Sequence, residues 1–81
     1  MTTTNEVLLQ RITLIPGLMG GKPTVRGMRF LVSDVLELLS SGLSEDELIE
    51  QHPALEKEDI KASLLYASLT LKNTVIVHAA W

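Results

Sequence analysis

The sequence contains no cysteine, only three aromatic residues and no apolar run long enough to form a membrane helix. The absence of cysteine excludes disulfide bonds and thiolate metal sites. The first residues, MTTTNEVLLQR, lack the basic start of a signal peptide, and their apolar run is too short to cross a bilayer. We therefore expect a cytoplasmic protein without a membrane partner.

Positive charge is scarce and unevenly distributed. The formal net charge is −3, which disfavours non-specific binding to nucleic acids. Residues 1–33 carry four basic side chains against Glu6 alone, whereas residues 34–81 carry three lysines against nine carboxylates. This polarity indicates two faces with different partners. The alternative is a solvated acidic helical surface together with a few loop arginines.

The length of the chain predicts a single domain over residues 1–81. With 81 residues, of which 46% are hydrophobic, there is material for one small core. A domain of this size buries only about 60% of the surface of its unfolded chain, so its stability is marginal. Without disulfides, self-association is a natural source of additional core. We expect a homodimer.

The N-terminal part of the sequence predicts a β-hairpin. Apolar and polar residues alternate over residues 10–14, which indicates a short half-buried strand. Residues 28–32, MRFLV, form a second strand candidate. The stretch PGLMGGKPTVRG between them holds four of the five glycines and two of the three prolines, so it is predicted to be a loop. Two such strands need the helices, or a third strand, to pack against.

Three helices are predicted after the hairpin. Ser33 is a suitable N-cap for the first helix, and Gly42 ends it. The sequence SEDE at residues 44–47 is a capping box that begins the second helix, and Pro53 prevents its continuation. The third helix begins near Glu56, with acidic residues in its first turn. The predicted fold class is mainly α with a small β element.

The third predicted helix has a wide apolar face. Its main stripe, which places Leu64 in the core, consists of Ile60, Leu64, Ala67 and Leu71. Leu65 and Leu69 widen this stripe beyond what two short helices can cover. A second subunit or the C-terminal segment TVIVHAAW is therefore expected to cover the remainder. The β-branched residues of that segment predict a third strand.

The second and third helices, separated by a short break, form a helix-turn-helix candidate with a core at about residues 33–71. In such a unit the second helix enters the major groove of DNA by its N-terminal residues. The side chains expected to contact DNA, chiefly its phosphates, are Lys22, Arg26, Arg29, Lys57 and Lys61. Three carboxylates in the same first turn lower the expected affinity. A protein-interaction module without DNA contact is the alternative.

No catalytic, cofactor-binding or metal site is predicted. The glycine-rich loop departs from the P-loop pattern, because Pro23 stands where a Ser or Thr would hold magnesium. His52 and His78 have no partner at metal-ligand spacing and no adjacent nucleophile. No pair of carboxylates lies in a setting that would separate their pKa values for acid–base work. We expect a protein that is not an enzyme.

A series of short motifs resembles the DUF433 family, small bacterial proteins that are uncharacterised or antitoxin-like. The motifs, in order, are GKP at 21–23, RGMRF at 26–30, GLS at 42–44, PAL at 53–55, DI at 59–60 and LLYA at 64–67. Together they extend over about residues 12–67. The resemblance implies a homeodomain-like helix-turn-helix fold. It also implies the antitoxin half of a pair whose toxin is a PIN-domain ribonuclease.

Three features depart from the family pattern. The C-terminal segment LTLKNTVIVHAAW lacks the polar ending that the family is expected to have, and binding of a toxin through it is correspondingly disfavoured. Met28 stands where the family usually has Thr, which removes a hydroxyl group from the loop. Glu56 stands where the family usually has Ser or Thr at the start of the third helix, and Glu is a weaker capping residue.

Overall fold

The computed structural model describes residues 4–73. This part of the chain forms four helices and one antiparallel sheet of two strands. In chain order the elements are α1 (Thr4–Leu9), β1 (Ile12–Thr13), β2 (Thr24–Val25), α2 (Val32–Ser40), α3 (Glu45–Gln51) and α4 (Lys57–Asn73), with a single 3₁₀ turn at Met19–Gly21 between the strands. The predicted mainly helical fold with a small β element is confirmed.

The β element is smaller than predicted, and its second strand lies elsewhere. β2 pairs with β1 from within the predicted loop, with Ile12 opposite Val25. The predicted strand at 28–32 was wrong: only Leu31 bridges back to Thr24, and α2 has already begun at Val32. A strand of two residues leaves no alternation in the sequence, which is why the pattern did not reveal it.

A tight turn after β2 explains this shift. Arg26 and Gly27 both have positive φ, 45° and 70°. The Met28 N–H donates to the Val25 carbonyl at 2.9 Å, and the Val25 N–H donates to the Phe30 carbonyl at 3.0 Å. Two successive left-handed residues reverse the chain within four residues, as in a type I′ turn. The chain therefore turns back before residue 28 and enters α2 directly.

The helix boundaries follow the local capping signals closely. The capping box is confirmed: the Glu47 N–H donates to Ser44 Oγ at 3.1 Å, and the Ser44 N–H donates to Glu47 Oε1 at 2.9 Å. Gly42, with φ of 105°, follows the end of α2. α4 begins at Lys57, next to the predicted start. α2 begins at Val32 with Leu31 as its N-cap, so the prediction of Ser33 as the cap was wrong by two residues.

α4 is the central element, because it packs against α1, α2, α3 and β1. Around it lies the apolar core, formed by Val25, Val32, Val35, Leu48, Leu55 and Ile60, each no more than 4% exposed. β2, α2, α3, the α3–α4 connection and α4 each contribute to this core. The core therefore fixes the N-terminal hairpin against the start of α4.

The predicted rotation of α4 about its own axis was wrong. Leu64 is 45% exposed and Leu71 is 66% exposed. The buried residues of the helix are Asp59, Ile60, Ala62 and Ser63. The small side chains of Ala62 and Ser63 allow close packing, and the Ser63 hydroxyl is satisfied by donating to the Asp59 carbonyl at 2.9 Å. The buried face of α4 therefore carries Asp59 and Ser63 beside Ile60 and Ala62. Leu64 and Leu71 of the predicted leucine stripe point to solvent.

No helix within residues 4–73 is long and apolar enough to cross a membrane. The predicted third strand falls in residues 74–81, outside the described residues.

Candidate functional site

A buried carboxylate lies at the N-terminal end of α4. Asp59 is 0% exposed. Its two oxygens accept four hydrogen bonds: Oδ1 from Arg11 Nη1 and Arg26 Nε, both at 2.9 Å, and Oδ2 from Arg26 Nη2 and the Glu56 N–H, both at 2.8 Å. Such complete pairing is what allows a carboxylate to be buried. We call Arg11, Arg26, Glu56 and Asp59 the arginine–aspartate cluster.

Arg26 reaches Asp59 because of the turn in which it lies. With φ of 45°, Arg26 occupies a left-handed conformation that costs a residue with a side chain on the order of 1 kcal/mol or more. Its guanidinium binds Asp59 through two nitrogens, and Nη2 also donates to the Ala54 carbonyl at 2.6 Å. The Arg26 N–H donates to the Arg11 carbonyl at 2.7 Å. The turn thus aims one arginine at α4 while its backbone holds the other.

Arg11 and Glu56 complete the cluster towards solvent. Arg11 Nη1 donates to Glu56 Oε1 at 2.7 Å as well as to Asp59. The Arg11 side chain is 27% exposed and that of Glu56 is 55% exposed. Because Asp59 accepts from the backbone N–H three residues earlier, it also does what the acidic residue of a capping box does for α4. One carboxylate therefore caps the helix and anchors the hairpin.

The electrostatics of the cluster keep Asp59 ionised. Burial by itself would raise the pKa of Asp59, but the hydrogen bonds from Arg26, the Glu56 N–H and Arg11 outweigh it and hold this pKa below its usual value. The hydrogen bonds to Glu56 and Asp59 raise the pKa of Arg11, and the hydrogen bond to Asp59 raises that of Arg26. Asp59 therefore stays negatively charged, holds Arg11 and Arg26 in place and is a poor proton donor.

The cluster leaves no buried polar group unsatisfied. Within residues 4–73, every buried side-chain nitrogen and oxygen has a hydrogen-bond partner. The same residues contain no group of three His, Asp or Glu side chains that could hold a metal ion. His52 instead packs edge-on against Phe30, with ring centroids 5.0 Å apart, and His78 lies outside the described residues. The cluster connects the N-terminal hairpin, through Arg11 and Arg26, to the start of α4.

The structure separates the five predicted DNA contacts into two groups. Two of the three guanidinium nitrogens of Arg26 donate to Asp59 within the cluster. Lys22, Arg29, Lys57 and Lys61 are exposed. Lys57 and Lys61 are four residues apart on α4 and so share one side of it, and Lys57 also lies 3.2 Å from exposed Asp46 of α3. Of the five predicted contacts, Lys22, Arg29, Lys57 and Lys61 therefore face solvent without a place in the cluster.

Reasoning from the residues missed both Asp59 and Arg11 as members of a charged cluster. The acidic first turn of the third helix indicates a solvated Asp59, and the alternation over residues 10–14 makes Arg11 one residue of a strand. One signal was present: Arg26 and Asp59 both fall within motifs of the resemblance, RGMRF and DI. Opposite charges in two separate motifs are candidates for a structural pair.

Comparison with known proteins establishes the family of this fold. The family described as "Protein of unknown function (DUF433)" matches residues 12–67, most of the chain, and the protein belongs to it. This stretch includes Arg26, Glu56 and Asp59 and begins one residue after Arg11. The expected resemblance is confirmed.

Two relatives are similar over much of this chain. "Uncharacterized protein y4eO" of Sinorhizobium fredii (strain NBRC 101917 / NGR234) is 38% identical over 56 residues, which are 69% of this chain and 25% of that protein. The chain thus spans a quarter of the length of this relative. The crystal structure of a DUF433 member protein from Anabaena variabilis ATCC 29413 has a TM-score of 0.73 at 27% identity, covering 83% of this chain and 66% of that one.

Proposed function

We propose that this protein is a non-enzymatic, antitoxin-like regulator in the cytoplasm. It acts as a homodimer that binds DNA through a helix-turn-helix unit formed by α3 and α4, and it neutralises a PIN-type ribonuclease toxin. The observation that carries the DNA-binding part is the arrangement at the start of α4. Two helices are joined by residues 52–56, and the longer one presents Lys57 and Lys61 to solvent on its first two turns.

The arginine–aspartate cluster supports this proposal by reducing the negative charge where DNA would lie. Three carboxylates stand at the start of α4, and each would repel phosphates if it were free. Asp59 and Glu56 are instead paired with Arg26 and Arg11 at 2.7–2.9 Å. Glu58 is the remaining carboxylate of the three, and it directly follows Lys57 and lies three residues before Lys61, one turn away on the helix. The local charge is therefore much closer to neutral than the sequence alone indicates.

Phosphate contacts have a measurable signature in salt. Each phosphate that a lysine neutralises adds about −0.9 to the slope of log affinity against log salt concentration. We expect the protein to bind duplex DNA from the region upstream of its own gene, and the slope to lose about one unit in Lys61→Ala. Lys72→Ala is the matched control, because Lys72 lies in the last turn of the same helix. Fluorescence anisotropy across a salt series provides the slopes.

Two results would contradict the DNA-binding proposal. One is the absence of binding at low salt, with or without a partner protein. The other is an equal change of slope in Lys61→Ala and Lys72→Ala, which would mean that the start of α4 has no particular part in binding.

The protein-interaction alternative also has an observation in its favour. α3 carries Glu45, Asp46 and Glu47 in its first turn, and α4 leaves Leu64 and Leu71 exposed. Acidic and apolar surface suits a protein partner better than DNA. Co-expression with a PIN-domain ribonuclease encoded beside the gene tests the toxin part. Copurification with relief of growth arrest is expected, and a ribonuclease that stays unbound and fully toxic would contradict it.

A further inference from the structure

An open apolar groove runs beside the C-terminal half of α4. One wall is the face of α4, and the other is formed by the start of α2 and the segment before β2. Its principal lining residues are Pro23, Val32, Leu36, Tyr66, Ala67 and Leu71. Leu71, at 66% exposed, is the most exposed large apolar side chain within residues 4–73. An exposed leucine at the edge of an apolar groove is a candidate contact for another segment or molecule.

The chain itself supplies a segment of matching chemistry directly after this groove. α4 ends at Asn73, two residues beyond Leu71, and the sequence continues as TVIVHAAW over residues 74–81. These eight residues contain no Asp, Glu, Lys or Arg, and six of them are apolar. Their composition fits burial against carbon-lined walls, where a charged segment would be penalised.

The length of this segment also suits the groove. Along α4, the distance from Asn73 back to Tyr66 is about 10 Å, since a helix rises about 1.5 Å per residue. Eight residues in extended conformation span up to about 26 Å. The segment is therefore long enough to reverse direction after α4 and follow the groove to its far wall at Pro23 and Val32.

We propose that residues 74–81 of the same chain bind in this groove and cover Leu36, Tyr66 and Leu71. The β-branched residues Val75, Ile76 and Val77 supply apolar side chains for the walls, and Trp81 supplies the largest buried surface of the segment. This intramolecular docking lies at the opposite end of α4 from Lys57 and Lys61, and only Lys22 of the predicted DNA contacts borders the groove. The test of the docking does not depend on DNA binding.

Trp81 makes the test direct, because it is the only tryptophan in the sequence. In the full chain under native conditions, we expect blue-shifted emission from Trp81 and acrylamide quenching several-fold weaker than in urea. Leu71→Glu places a charge in the groove at an exposed position, so the fold is retained. It is expected to shift the emission to the red and to raise quenching to the level seen in urea. Circular dichroism verifies that the variant remains helical.

Leu64→Glu is the matched control, because Leu64 is an exposed leucine of the same helix that does not line the groove. Its Trp81 emission should equal that of the unsubstituted chain. Three results would overturn the proposal. They are native emission equal to that in urea, an unchanged emission in Leu71→Glu, and protection that grows with protein concentration. The last would show that a second copy binds the segment.

Discussion

Arg26 and Asp59 are 33 residues apart in sequence, yet two guanidinium nitrogens of Arg26 bind the two carboxylate oxygens of Asp59 at 2.9 and 2.8 Å. Asp59 is fully buried, whereas the Arg26 side chain keeps 34% of its surface in solvent. The two partners are therefore unequal: removal of the arginine strands a buried charge, whereas removal of the aspartate leaves an arginine that can turn to water.

Arg26→Ala is expected to lower the free energy of unfolding by about 2–3 kcal/mol, because a buried carboxylate loses charge-assisted hydrogen bonds. Arg29→Ala, three residues away and exposed, is the control and should change it by no more than about 0.5 kcal/mol. Urea unfolding followed by circular dichroism measures both. Equal effects would mean that the contact between Arg26 and Asp59 contributes little to stability.

Stability should also fall in acid, and Asp59 should account for part of the fall. An aspartate in an unfolded chain has a pKa of about 3.9, and the arginines hold the pKa of folded Asp59 lower. The unfolded chain therefore binds more protons in this range, so stability rises with pH across it. The contribution of Asp59 is complete above the unfolded pKa and is lost as the pH falls through the folded pKa.

Asp59→Asn isolates this contribution. The variant should be less stable at neutral pH, and its urea midpoint should depend less steeply on pH below about 4, the range in which aspartate titrates. Parallel pH profiles for the variant and the unsubstituted chain would contradict the assignment of the acid-sensitive group to Asp59.

The capping box predicts a stability effect of its own. Ser44→Ala removes the side-chain acceptor of the Glu47 N–H and should cost about 1 kcal/mol, a large share for a helix of seven residues. Ser68→Ala, at an exposed position inside α4, should be neutral or slightly stabilising, since Ala favours a helix interior. Thermal or urea unfolding of the pair distinguishes loss of a cap from loss of any hydroxyl group.

The rotation of α4 is tested by two truncations four residues apart. Ile60 is 0% exposed and Leu64 is 45% exposed. Ile60→Ala should therefore cost about 2–5 kcal/mol, much of the roughly 5–15 kcal/mol that a domain has. Leu64→Ala should cost well under half as much. A larger effect at Leu64 than at Ile60 in urea unfolding would restore the leucine-stripe register.

Self-association remains a prediction, and a substitution at the exposed Leu64 of α4 can test it. We expect a dimer in sedimentation velocity at micromolar concentrations, with Leu64→Glu shifting the population towards monomer, because a charge would be buried at the contact. A monomer at every concentration accessible to the experiment would reject the homodimer.

The sequence predicted the elements with local signals and failed where distant residues decide. The capping box at Ser44, Gly42 after α2 and the start of α4 are each set by neighbours in the chain. The rotation of α4 is not set by neighbours in the chain. A hydrophobic pattern assigns the charged Asp59 to the exposed face, and only its contacts with Arg11 and Arg26 explain why it is buried. β2 escaped notice for a related reason, since its pairing depends on the left-handed turn at Arg26.

The separation of the cluster's members along the chain also has a kinetic consequence. Arg11 and Asp59 are 48 residues apart, so their contact closes a long loop, whereas the capping box and the helices form from neighbours. Interactions completed after the folding transition state slow unfolding without speeding folding. Arg26→Ala should therefore lower stability mainly by raising the unfolding rate constant, with little change in the folding rate constant. The arginine–aspartate cluster would then contribute chiefly to kinetic stability, that is, to the lifetime of the folded protein.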